Sequence, residues 1–181
     1  MKNGGWRNAV LKILASLMLL VAGFMIGRET APKPENFIGH YVVEEVIDGD
    51  TIKIKGQSIR YLGIDTPETK HPTKRVECFG PEASAKNKEL VLGKRVYLES
   101  GSRDRDKYGR PLRYVWLGNG ILVNELLIND GYARFDNNYG RLKYSDKLAR
   151  AQDEAKTRKL GLWGACKIEE KVEKLKTKKK K

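Results

Sequence analysis

From residue 40 to residue 64 apolar and polar side chains alternate, and the alternation is broken twice by turn residues. HYVVEEVIDG ends in an Asp-Gly turn at Asp48-Gly49, TIKIK (51–55) alternates cleanly, Gly56-Gln57 turns the chain, and SIRYLGI (58–64) returns. A period of two over runs this short predicts half-buried strands. The period then changes. PEASAKNKELVLGK (81–94) carries proline in its first turn, several alanines and a closing glycine, the pattern of a helix. RVYLES (95–100) and RPLRYVWL (110–117) predict two more strands, with GSRDRDKYG as the loop between them. ILVNELLINDG (121–131) predicts a short helix stopped by glycine. KYSDKLARAQDEAKTRKLGLW (143–163) predicts a longer amphipathic helix, with Ser145 as N-cap and Leu148, Ala151, Ala155 and Leu160 facing inward. Five strands and three helices make an α+β domain. A small closed barrel buries such strands, and the OB-fold is one such five-stranded barrel.

The two ends of the 181-residue chain depart from this pattern. Lys2 and Arg7 precede an apolar run over residues 10–27 that is interrupted only by Lys12. A basic start followed by an apolar stretch predicts export, as a cleaved signal peptide or as a signal anchor over residues 1–27. Residues 28–36, RETAPKPEN, then form a polar linker, and residues 37–166 form the domain. Residues 167–181 carry eight basic and three acidic side chains and form a lysine-rich tail. The formal net charge of +13 favours an anionic partner, either nucleic acid or an anionic membrane surface. Export changes the meaning of the two cysteines, Cys78 and Cys166. In an oxidising compartment the pair predicts a disulfide that would contribute about 2–4 kcal/mol, with two free thiols as the alternative. The domain is expected to be secreted or membrane-anchored outside the cytoplasm.

The candidate chemistry sits at strand ends. Asp50 opens a strand, Asp65 and Glu68 follow the next one, and Arg60 lies on the approach to Asp65. Carboxylates that converge repel one another unless a cation intervenes, and a hard dication with oxygen ligands is the usual answer. Arg110, in DKYGR, begins a further strand. Arginine forks match phosphate oxygens, so acids that hold a metal beside arginines that hold a phosphate describe a phosphodiesterase site. The plainer reading of each piece is turn chemistry for the acids and surface ion pairs for the arginines. The combination and its order carry the functional reading. A non-catalytic OB-fold that binds single strands through a basic groove and aromatic stacking is the alternative. A third is a membrane-bound scaffold.

IDGDT, RYLGIDTPETKHP, GPEAS and DKYGR occur in this order between Tyr41 and Trp163. The set resembles the staphylococcal nuclease (thermonuclease) family. The resemblance implies an OB-fold barrel with three helices and a calcium-dependent endonuclease acting on DNA and RNA, leaving 3′-phosphate ends. It assigns Ca2+ to Asp50, Asp65 and the Thr66 carbonyl, the general base to Glu68, and phosphate binding to Arg60 and Arg110. It assigns substrate contacts to Lys107, Tyr108 and Lys74, and base stacking to Tyr139. The enzyme is expected to act as a monomer, with the membrane as a partner if the N-terminal segment is retained.

Overall fold

The computed structural model describes residues 37–69 and 76–166. The N-terminal apolar segment, the linker, Lys74 and the lysine-rich tail lie outside the described residues.

Six strands form one sheet in the order β1-β6-β7-β4-β3-β2. They are β1 (Phe37–Val42), β2 (Glu45–Asp48), β3 (Thr51–Ile54), β4 (Gln57–Tyr61), β6 (Arg95–Arg105) and β7 (Pro111–Leu117). The two edge strands, β1 and β2, are consecutive halves of one segment that is interrupted at Val43-Glu44. That break bonds to both sides. Val43 N–H donates to Lys94 O at 3.1 Å, and Glu44 N–H donates to Lys53 O at 3.0 Å. The chain therefore closes the sheet on itself, and the five strands read from the sequence become a five-stranded OB-fold barrel with one bent member. A separate short ladder joins β5 (Ile64–Asp65) to β8 (Arg134–Phe135).

Three helices stand where the periodicity changes: α1 (Gly80–Val91), α2 (Val123–Asn129) and α3 (Ser145–Thr157). Their apolar faces and the strands' inward faces enclose one large core. Ile52, Tyr61, Val96, Val115, Leu127 and Leu148 are among its fully buried members. A smaller cluster of Leu62, Leu112, Tyr114, Trp116, Leu122 and Leu142 lies beside it. Burying each such side chain contributes about 1.5–3 kcal/mol.

Four details differ from the sequence reading. SIRYLGI is not one strand, because β4 stops at Tyr61 and β5 begins at Ile64. The segment expected to loop after Ser100 stays extended as β6 to Arg105, so the reversal is only the tight turn Asp106–Gly109, closed by Gly109 N–H to Asp106 O at 3.1 Å. Ser145 is the first helical residue of α3 and not its cap. Tyr144 occupies the cap position, and Ser145 Oγ accepts the Leu142 N–H at 2.8 Å. The last helix ends at Thr157, so Leu160 lies beyond it, and residues 162–166 form a separate helical turn.

Register is what builds the site. Thr51 pairs with Arg60 across β3 and β4, which sets Asp50 beside Arg60. β4 and β7 pair in parallel, Arg60 with Leu112, which brings the start of β7 and Arg110 to the same barrel end.

Candidate active site

Asp50 is 1% exposed, and an acid so deeply buried needs partners. The turn before it supplies its orientation: Asp48 Oδ1 accepts the Asp50 N–H at 3.1 Å. Gly49 between them has no room for a side chain, since a Cβ there would lie 2.6 Å from Thr66 Oγ1. Thr66 fills that space and donates twice to Asp50 Oδ2, from its N–H at 2.8 Å and its hydroxyl at 3.0 Å. The IDGDT and DTPE motifs are thus locked together. Asp50 Oδ1 accepts the Thr51 hydroxyl at 3.1 Å and pairs with the Arg60 guanidinium. The same guanidinium donates to Asp65 Oδ1 at 2.9 Å and to the Ile64 carbonyl at 3.2 Å. Arg60 therefore bridges a buried acid and a half-exposed one.

Asp48, which the sequence presents as half of an Asp-Gly turn, belongs to this arrangement. Burial pushes its carboxyl above the ordinary value, against the pull of the Arg60 charge and a hydrogen bond from Thr51. Its backbone carbonyl accepts from Asn87 Nδ2 of α1 at 3.0 Å, and Asn87 Oδ1 accepts the buried Tyr61 hydroxyl at 2.9 Å. Helix and barrel thereby fix the turn.

Arg110 is aimed by a second carboxylate. Its Nε donates to Asp106 Oδ2 at 2.6 Å and its backbone N–H to Asp106 Oδ1 at 2.9 Å. Burial raises the Asp106 carboxyl, but hydrogen bonds from Arg110 and the Tyr108 N–H outweigh it, and the group lies below its ordinary value. Asp106 begins the DKYGR motif. The i, i+4 spacing of Asp106 and Arg110 is the signal in the sequence for this pair.

Asp48, Asp50, Arg60, Asp65, Thr66, Pro67, Glu68 and Arg110 line one pocket of about 120 Å³. Lys107 and Tyr108 do not line it. They occupy the adjoining turn, where the 72% exposed Tyr108 ring lies 5.0 Å from Lys107 Nζ and 5.5 Å from the Arg110 guanidinium carbon. Tyr139 does not line the pocket either, and is half-buried against the smaller core cluster with Arg103 over its ring at 5.7 Å. Cys78 and Cys166 are joined as a disulfide, with their Cα atoms 5.7 Å apart.

Every candidate metal donor in the pocket is a hard oxygen, the donor chemistry that suits a hard dication. Among the described residues no three His, Cys, Asp or Glu side chains converge as a closed cage. Asp50 and Asp65 are the carboxylates of that pocket linked through Arg60, and the Asp50 oxygens are already engaged by Thr51, Thr66 and Arg60.

A family model described as "Staphylococcal nuclease homologue" matches residues 58–165. A thermonuclease of Staphylococcus hyicus is 40% identical over 165 residues, covering 86% of this chain and 96% of that protein. A thermonuclease of Staphylococcus intermedius is 40% identical over 162 residues, again 86% and 96%. Endonuclease YncB of Bacillus subtilis (strain 168) is 42% identical over 137 residues, 72% of this chain but 64% of YncB, so the chain spans less than two thirds of that relative. Matches of this extent, running through the barrel, the acid–arginine pocket and the helices, show that the chain belongs to the staphylococcal nuclease family.

Proposed function

We propose that the chain is a calcium-dependent endonuclease that hydrolyses phosphodiester bonds in DNA and RNA and leaves 3′-phosphate ends. The observation that carries this reading is the convergence of three aspartates, two arginines and Glu68 on one small pocket. The three relatives described above are all named as nucleases, which supports hydrolysis of nucleic acid.

A phosphodiester is already an anion, and attack by water adds charge to its non-bridging oxygens. Asp50, Asp65 and the Thr66 carbonyl would hold calcium, which when bound supplies positive charge to a phosphate oxygen. Glu68 accepts a proton from the attacking water or orients it. Arg60 and Arg110 donate N–H groups to the phosphate as its charge grows. A guanidinium carries five N–H donors, more than Arg60 uses on Asp50, Asp65 and Ile64 among the described residues. Carboxylate anchors on both arginines keep them oriented before substrate arrives. Water adds at phosphorus, the 5′ oxygen leaves with a proton, and the phosphate stays on the 3′ side.

The experiment is digestion of DNA and of RNA by purified protein with calcium and with excess EGTA, followed by end-group analysis. Cleavage with calcium, none with EGTA, and 3′-phosphate ends are expected. Full activity in EGTA would remove calcium from the proposal. The proposal extends to a monomer acting outside the cytoplasm, secreted or held at the membrane by residues 1–27. Cell fractionation and gel filtration test those two points.

A further inference from the structure

We infer that Glu77, held in place by the Cys78–Cys166 disulfide, is a positioning residue for Glu68. The inference rests on the nuclease reading of Glu68.

Glu77 grips the Glu68 backbone from both sides. Its Oε2 accepts the Glu68 N–H at 3.2 Å, and its own N–H donates to the Glu68 carbonyl at 2.9 Å. The start of α1 presses on the same peptide: a Cβ at Gly80 would lie 2.9 Å from Glu68 O and 3.1 Å from Pro67 O. Glu68 therefore reaches the pocket from a backbone seated on residues 77–80. A group that takes a proton from water must be held to a fraction of an ångström, and small displacements are costly in rate.

Exposed hydrogen bonds are weak by themselves, and the Glu68–Glu77 side-chain bond is an exposed one. The precision of the grip depends on what holds Glu77. The next residue, Cys78, is bonded to Cys166. Cys166 is buried and ends the helical turn at 162–166, whose Leu162 N–H donates to Gly131 O at 2.9 Å. Phe79 follows in the left-handed region, at φ 70°, and its ring lies 5.4 Å from Tyr132. A covalent tie and an aromatic contact thus fix the segment to the folded body.

The test uses the full chain and steady-state hydrolysis of a short DNA with calcium. Glu77→Ala is expected to lower kcat by about tenfold or more while KM changes by less than about twofold. Glu77→Gln is expected to retain nearly full kcat, because its amide oxygen accepts the same N–H. Treatment with a dithiol delivers two electrons and two protons to the disulfide, giving two thiols and a cyclic disulfide of the reagent. It is expected to lower kcat below the melting temperature, and reoxidation to restore it. A Cys78→Ser/Cys166→Ser variant, assayed below its own melting temperature, should match the reduced protein. Unchanged kcat in Glu77→Ala, or equal loss in Glu77→Gln, would overturn the positioning role. Unchanged kcat after complete reduction would remove the disulfide from it. An inactive wild type would instead overturn the nuclease reading and the catalytic meaning of the grip. Hydrogen exchange at the Glu68 amide then judges the grip alone: faster exchange in Glu77→Ala supports it, and equal exchange sinks it.

Discussion

Among the described residues two acids are buried in this barrel, Asp50 at 1% and Glu99 at 0% exposure, and they have opposite uses. Glu99 accepts Trp116 Nε1 at 2.9 Å, Lys143 Nζ at 2.7 Å and the Tyr144 hydroxyl at 3.0 Å. Its partners are core aromatics and one lysine, and Tyr144 packs edge-on against Tyr114 at 4.7 Å. The result is a clasp that ties the segment before α3 to β6 and β7. Asp50 is satisfied just as fully, but its cationic partner lines a pocket. Burial and a full set of hydrogen bonds therefore do not separate the two acids. The surroundings of the cationic partner do: Lys143 lies over Tyr144, and Arg60 lines the pocket.

That contrast gives separable outcomes. Arg110→Ala should lower kcat by ~10²-fold or more, the scale of losing one transition-state donor, and lower the melting temperature modestly, since Asp106 loses its hydrogen bond from Arg110 Nε. Near-normal turnover would remove Arg110 from the mechanism. Glu99→Gln should do the reverse. It should cost about 1–3 kcal/mol in thermal or denaturant melts, since one of its buried donors is left poorly paired, and leave kcat per folded molecule within about twofold. A large loss of kcat there would erase the distinction between the two acids.

The smallest effect concerns Asp106. Its folded value is depressed, so its contribution to stability is fully present above the ordinary value of 3.8 and is lost as pH falls through the lower folded value. Asp106→Asn should therefore be less stable than wild type at neutral pH, and the gap should narrow in melts taken below pH 3.8. A constant gap across that range would mean that the Asp106 charge does not carry the effect.

Period-two runs and helix punctuation were enough to locate the strands and helices, because local alternation and caps are local physics. What the sequence did not disclose was tertiary. The strand break at Val43-Glu44 is set by partners on both sides, not by a proline or glycine. β6 continues to Arg105, which pairs with Pro111 of β7 across a register shift after Ser100, on residues whose composition reads as loop. The six residues placed on the acid–arginine site do line one pocket, because strand ends and their order are visible in a sequence. Asp48 and Asp106 were hidden behind ordinary turn chemistry, and only the fold shows what their oxygens hold. Tyr139 is not among the residues that line the pocket.

One contact in this sheet runs the other way from its neighbours: β4 and β7 pair in parallel, Arg60 opposite Leu112 and Tyr61 opposite Arg113. Side chains on a strand alternate between faces, so a slip of a single residue would turn Arg60 inward and Tyr61 outward. A refolding chain should gain turnover only when the ring closes, which makes its enzymatic signal a stringent clock for the final step of folding.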